Sequence, residues 1–445
     1  MKVGIDAIQM YIPKVVLPIE KLAIARNIDA AKLSKGLGLE AMRLTDIDED
    51  VVSMGTTAVH RLLQQENITL SKVDRLYVGT ESSIDNSKPV ASYILQNIVQ
   101  LDGENKSIDC DAVDFTFACI GAVDALQNCL DYIRLNPTKK AIVVATDFAK
   151  YDLASTGEYT QGAGAFAVLV SAEPKIMTID QEVGVATRGV FDFFKPKQYI
   201  ETTQNNVKVK LPVVKDEPVF DGQYSNECYI NQISAAYEKF KTEKAAFNDA
   251  TDWDLICMHL PYCFQGRRTF IEIFIKENLL LLENATGENY KEKLRSVVKS
   301  EAYQNFVQEK IAPSEYLSAK VGNCYTGSIF LGLISALVNS IQQANSVKTI
   351  GFIGYGSGSK SKAFQGNLVE NWQENFDAQS IMENFEDLVE IDFETYEKLH
   401  KNQLSQALVN DKTFRIEKIE AENLVLVGAR YYAYKEVDKK VASIV

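Results

Sequence analysis

The chain has 445 residues, 46% of them hydrophobic, enough to bury one large core or two ordinary ones. Its 47 Lys and Arg against 60 Asp and Glu leave a formal charge of −13, which excludes a general attraction to nucleic acid or to an anionic membrane. No apolar run reaches membrane-spanning length, no signal-peptide pattern opens the chain, and the seven cysteines show no CxxC or Cys/His spacing of a zinc site. A reduced, cytoplasmic protein without a metal is the expectation.

In chain order, the first buried strand is Arg75-Leu76-Tyr77-Val78-Gly79-Thr80, which runs into the polar loop Glu81-Ser82-Ser83-Ile84-Asp85. A strand-like approach from Asp114 to Phe117 then reaches Cys119, and a helical run from Gly121 to Ile133 follows. A turn at Asn136-Pro137 leads to the strand Ala141 to Asp147. Asp192 to Asp221 mixes prolines with short β-like runs and reads as an excursion loop. The strand Leu255 to Met258 delivers His259-Leu260-Pro261-Tyr262, and Thr269 to Lys320 reads as a helical lid or covering subdomain. Gly322-Asn323-Cys324-Tyr325-Thr326-Gly327-Ser328 opens a long apolar helix, and the strand Thr349 to Tyr355 ends in Gly356-Ser357-Gly358-Ser359. Phe414 to Ile419 and Leu424 to Tyr434 read as two further strands.

The units after Cys119 and after Cys324 share one grammar: a helix, a polar turn, and a continuously apolar strand of the kind buried on both faces. This repetition predicts an α/β fold of two related halves, with a chance likeness of two generic units as the alternative.

Strand ends are where α/β proteins place chemistry. Four of them here carry a thiol (Cys119), a carboxylate (Glu81), an imidazole (His259) and a Gly-Ser turn (Gly356, Ser357). A thiol at a helix N-terminus is expected to be favoured as thiolate and to act as an acyl-transfer nucleophile. Each member also has a bland reading: a structural cysteine, a solvated carboxylate, a half-buried histidine, a tight turn. The turn lacks the GK[ST] ending of a P-loop. His60 and His400 read as surface or packing residues.

Further segments carry a resemblance: Ala118-Cys119 with Gly121-Ala122, Ser155-Thr156-Gly157-Glu158-Tyr159-Thr160-Gln161-Gly162-Ala163-Gly164-Ala165, Met258-His259-Leu260-Pro261, and Val321-Gly322-Asn323 with Tyr325-Thr326-Gly327-Ser328. With Thr80 to Asp85 and Tyr355 to Ser359, they resemble 3-hydroxy-3-methylglutaryl-CoA synthases of the bacterial mevalonate-pathway kind, within the thiolase superfamily. Departures exist. Phe117-Ala118 and Ile120 stand where the family usually has Glu-Ala and often Tyr, and Phe264 replaces one lysine of the loop after the histidine.

The resemblance implies a thiolase-like αβαβα fold of two βαβαβ-type halves, residues 1–172 and 173–445, the second with a helical insertion at about 265–320. It implies condensation of acetyl-CoA with acetoacetyl-CoA and hydrolysis to HMG-CoA and CoA, without a metal or redox cofactor. Cys119 would carry the acetyl group and Glu81 would be the base. His259, with Asn323, would hold the acetoacetyl carbonyl, while Ser357 and Gly356 would form the oxyanion turn. Tyr151 would line the acyl pocket, and Arg267 and Arg268 would meet the CoA phosphates.

A thiolase would need a second catalytic cysteine, and none follows Cys324. A ketoacyl synthase would lack the glutamate base. The alternative kept is a polyketide β-branching synthase acting on a carrier-protein thioester; a catalytically dead binding protein fits poorly with retention of Cys119, Glu81 and His259. A homodimer is also implied, its interface placed along the helix and strand after Cys119, because Ala141 to Ala145 would be an aggregation-prone edge if exposed.

Overall fold

The computed structural model describes residues 1–101, 103, 107–204, 207–213, 215–278 and 289–435. Along the strand Ala141–Phe148, Ala141, Val143 and Ala145 enter one core while Ile142 and Val144 enter another. The strand Thr349–Gly356 alternates likewise, with Ile350 and Phe352 in that same first core and Ile353 and Tyr355 in a third. Strands that are apolar on both faces need helices on both sides. Helices Gly121–Leu135 and Ser328–Gln342 fill the shared central core. Val51–Glu66 and Val90–Leu101 cover the outer face of the first half, and Gly222–Glu243 and Gln265–Glu277 that of the second. The layers therefore run αβαβα, as the resemblance implies.

The two halves repeat in their pairing as well. Arg75–Gly79 lies parallel to Ala141–Ala145, with Gly79 opposite Ala145, and Leu255–Met258 lies parallel to Ile350–Ile353, with Met258 opposite Ile353. Each inner strand then returns along an antiparallel neighbour, Ala163–Ala172 in one half and Lys360–Leu368 in the other. Met177–Ile179 and Val3–Tyr11 join the halves into one hydrogen-bonded sheet of ten strands.

Three expectations change. Ala141–Phe148 is interior, paired on both sides, so its apolar character reflects burial within the sheet and not a covered edge. The edge on that side of the sheet, among the described strands, is Asp111–Phe115, which pairs with Arg75–Gly79; Leu255–Met258 is the edge on the other side. The last strand begins at Arg430, not Leu424, because Leu424 and Val425 are exposed and make no ladder. The excursion segment contains two strand pairs, Phe193–Phe194 with Val219–Phe220 and Gln198–Gln204 with Val207–Val213. Within residues 265–320, Phe270, Phe274, Tyr303 and Phe306 pack into the third core; residues 279–288 lie outside those described.

Candidate active site

The position of Cys119 is set by two close approaches. A Cβ on Gly79 would stand 2.2 Å from the backbone nitrogen of Ala122, so only glycine lets the end of the Arg75–Gly79 strand touch the first turn of the Gly121 helix. Gly356 meets the same turn from the other half, its missing Cβ 2.6 Å from the Phe117 carbonyl. Between them Ala118 adopts φ of 39°, an uncommon left-handed state for a residue with a side chain. The result places the Cys119 sulfur 3.0 Å from Oε1 of Glu81.

Asp147, the last polar residue of a mostly apolar strand, fixes the loop that carries Glu81. Its Oδ1 accepts from the Thr80 hydroxyl and the Glu81 N–H, both at 2.9 Å. Its Oδ2 accepts from the N–H and hydroxyl of Thr326, in the other half of the chain. One buried carboxylate thus ties the Glu81 loop to the turn before the Ser328 helix.

Burial pushes the Glu81 carboxyl up to about 7, opposed by Lys195 and reinforced by Asp147. Burial and then the adjacent Glu81 charge also raise the Cys119 thiol well above its ordinary value. The resting pair therefore holds its proton on sulfur, donated to Glu81. The helix N-terminus expected to favour thiolate is outweighed here by burial and by the carboxylate. His259 is 2% exposed, and burial lowers its imidazole to about 3, so the ring is neutral. Its Nδ1 is buried with no partner among the described residues. Its backbone is held at both ends, by the Ile353 carbonyl at 3.0 Å and by the Tyr229 hydroxyl. Asn323 Oδ1 accepts from the Tyr325 N–H at 2.9 Å, which orients the side-chain amide.

Cys119, Tyr151, His259, Asn323, Ser357 and Arg268 line one cavity of about 640 Å³. Glu81 and Ser357 line a second cleft of about 1210 Å³ on the other side of the Cys119 turn. The two arginines part company. Arg268 stays at the cavity mouth, bonded to the Gly36 carbonyl at 2.6 Å, whereas Arg267 turns away into an ion pair with Glu315, itself 3% exposed. His400 donates from Nε2 to the Tyr151 carbonyl, 2.9 Å away, and His60 packs edge-on against Phe414 and Tyr434. Among the described residues no His/Cys/Asp/Glu group could hold a metal, and no helix is long and apolar enough to cross a membrane.

A family model described as the N-terminal part of hydroxymethylglutaryl-coenzyme A synthase matches residues 1–175, and its C-terminal counterpart matches residues 178–441. The chain belongs to the hydroxymethylglutaryl-CoA synthase family. The synthase of Enterococcus faecalis is 31% identical over 423 residues, covering 94% of this chain and 98% of the relative. That of Haloferax volcanii is 29% identical over 428 residues, covering 89% and 91%. A solved structure of MvaS in complex with 3-hydroxy-3-methylglutaryl coenzyme A superposes with a TM-score of 0.81 at 29% identity, covering 98% of this chain and 99% of that one. The HMG synthase of the curacin biosynthetic pathway, 21% identical with a TM-score of 0.78 over 98% of this chain and 100% of that one, shares the fold.

In this member of the synthase family, sequence reasoning passed over four residues at the site. Asp147 was signalled only by being a carboxylate in a buried strand. Asp192, Phe193 and Lys195 lie in the segment read as an excursion loop. Asp192 accepts from Gly358 N–H at 2.7 Å and the Tyr355 hydroxyl at 2.9 Å, while Phe193 packs against Tyr151 and Tyr325. No local pattern announces such partners.

Proposed function

We propose that this chain condenses acetyl-CoA with acetoacetyl-CoA and hydrolyses the resulting enzyme thioester, giving HMG-CoA and CoA. The observation that carries this reading is the buried 3.0 Å contact of Cys119 with Glu81, facing a cavity lined by a neutral His259. Cys119 takes the acetyl group and CoA leaves with the thiol's proton, splitting one hard reaction into easier steps. The acetyl methyl is then two bonds from sulfur, within reach of the carboxylate that the thiol had contacted. Glu81 removes a methyl proton, the enolate attacks the ketone carbon of acetoacetyl-CoA, and Glu81 returns the proton to the new alkoxide. A carboxyl lifted to about 7 is matched to that exchange near neutral pH. His259 and Asn323 donate to the acetoacetyl carbonyl. Backbone donors at Cys119 and Ser357 stabilise the thioester oxyanion, each worth about 3 kcal/mol. Water finally cleaves the acyl–sulfur bond, so the chemistry uses only side chains, backbone and the two thioesters.

Arg268 is the candidate for the CoA phosphates, since Arg267 is committed to Glu315. We also place the chain in the cytoplasm, where its unpaired cysteines stay reduced, as a homodimer. The Asp111–Phe115 edge, with Val113 38% exposed, gives that dimer a strand to pair. Light scattering should then give about twice the 49.7 kDa chain mass.

The test uses two variants. Cys119→Ser should lose the acetyl adduct while still binding acetoacetyl-CoA. Glu81→Ala should acetylate Cys119 yet not condense, because removing Glu81 removes a charge that holds the thiol protonated. An adduct on another residue, or condensation by Glu81→Ala within about tenfold of wild type, overturns the assignment. A strong preference for acetoacetyl carrier protein over acetoacetyl-CoA would move the chain to the β-branching class.

A further inference from the structure

Lys195 is held at the site by its neighbours in sequence. Asp192 clamps the backbone of the Gly356–Gly358 turn through Gly358 and reaches Tyr355 and Ser225. Phe193 lies 6.0 Å from the Tyr325 ring and 6.2 Å from that of Phe220. Pro196 follows, with its fixed φ. From this anchored segment the Lys195 ammonium reaches three things at once. It stands 3.9 Å from Oε2 of Glu81, donates to the Glu81 backbone carbonyl at 3.4 Å, and lies 4.7 Å from the centre of the Tyr325 ring. The side chains of Lys195 and Glu81 are 19% and 6% exposed, so solvent screens the pair little.

We propose that Lys195 is a positioning residue for the condensation step: its ammonium keeps the Glu81 carboxylate ionised and fixes its orientation toward the acetyl methyl. The inference rests on the reading of Glu81 as the base. Glu81 presents two oxygens. Oε1 meets Cys119, and Oε2 faces Lys195. Once the sulfur is acetylated, the contact at Oε1 has no proton to offer, and Lys195 alone of the two still holds the carboxylate. The same charge serves the return step. A protonated Glu81 beside a fixed cation is a stronger acid and gives its proton more readily to the alkoxide.

The other groups around Glu81 do not substitute for it. Asp147 is an anion that binds the Glu81 N–H and raises the carboxyl. Cys119 is a neutral thiol until acylated. Tyr151 and Tyr325 are raised by burial and stay neutral. In the loop of Glu81 itself, Asp85 is bound by the N–H groups of Ser87 and Lys88, and the Lys88 ammonium is turned to Ser92.

The experiment compares Lys195→Met, Lys195→Arg and Glu81→Ala in the full-length enzyme. Acetylation of Cys119 is read by mass spectrometry, and condensation of the acetyl-enzyme with acetoacetyl-CoA is followed against pH. Lys195→Met should acetylate within about threefold of wild type, while the acid limb of its condensation profile moves up by about one to three units. Condensation at pH 7 then falls at least about fivefold and recovers as the pH is raised. Lys195→Arg keeps the charge and should bring the limb back to within about half a unit of wild type. A Lys195→Met profile on the wild-type limb overturns the inference. So does loss of acetylation and condensation together at every pH, which is what a purely structural lysine would give. If Glu81→Ala condenses normally, the base assignment itself has failed. If Glu81→Ala is dead and Lys195→Met is wild type, only the role of Lys195 falls.

Discussion

An alanine at Gly356 tests how the second half of the chain positions Cys119 in the first. Its Cβ would stand 2.6 Å from the Phe117 carbonyl oxygen, 2.8 Å from Ile120 Cγ2 and 3.0 Å from the Ile120 nitrogen. Two of these three are backbone atoms of the turn that carries Cys119, so no change of rotamer relieves them. Ordinary contact begins at about 3.4 Å, so the turn must retreat by about 0.8 Å. Overpacking of this kind costs about 1–3 kcal/mol of stability. The rate suffers more, because a misplacement near 1 Å at a reacting atom costs about a hundredfold. Gly356→Ala should therefore acetylate Cys119 about 10–100 times more slowly, with Tm lowered by only a few degrees. Acetylation by mass spectrometry and a thermal melt, run on the same preparation, check both halves of the claim. An alanine variant that acetylates within about threefold of wild type, or one that has no cooperative melt, refutes the argument that this contact acts on Cys119 and not on the fold.

Asp147→Asn puts an amide N–H among donors from Thr80, Glu81 and Thr326, and should cost about 1–3 kcal/mol in a denaturant titration while slowing condensation. Arg267→Ala strands the buried Glu315 carboxylate and should lose about 3–5 kcal/mol of stability with KM for acetyl-CoA unchanged. Arg268→Ala should do the reverse, raising KM about tenfold at unchanged Tm; the opposite pattern would exchange their roles. Condensation needs the ionised carboxylate, so its rate should rise with pH through an acid limb near 7, the value to which Glu81 is lifted. His259, neutral down to about 3, adds no second limb there. A limb at the ordinary glutamate value of 4.5 would contradict the proposed role of the buried Glu81.

The sequence makes the strand-end residues legible because each is announced locally. An apolar run stops, and Glu81, Cys119, His259 or Gly356 stands where it stops. The duplicated halves are legible for the same reason, since helix, turn and buried strand follow one another along the chain. What escapes is whatever depends on a distant partner. Lys195 is a lysine in a loop until Glu81 is seen beside it. Asp147 is one carboxylate at a strand end until Thr80 and Thr326 converge on it. Adjacent arginines on one helix point about 100° apart, so the pattern names the pair and only the packing of Glu315 decides which one is spent. The apolar strand Ala141–Phe148 misleads as an edge because hydrophobicity reports burial, not the neighbour that provides it.

The Asp147 bridge also couples two amides that sequence keeps far apart. The N–H groups of Glu81 and Thr326 both end on this one carboxylate, one on each oxygen. Neither can be released to solvent by a local fluctuation that leaves Asp147 in place. Their hydrogen exchange should be governed by a shared opening of the seam between the two halves, with matched protection at both positions. An enzyme built from a duplicated fold would thereby open its active site as a unit, and not one half at a time.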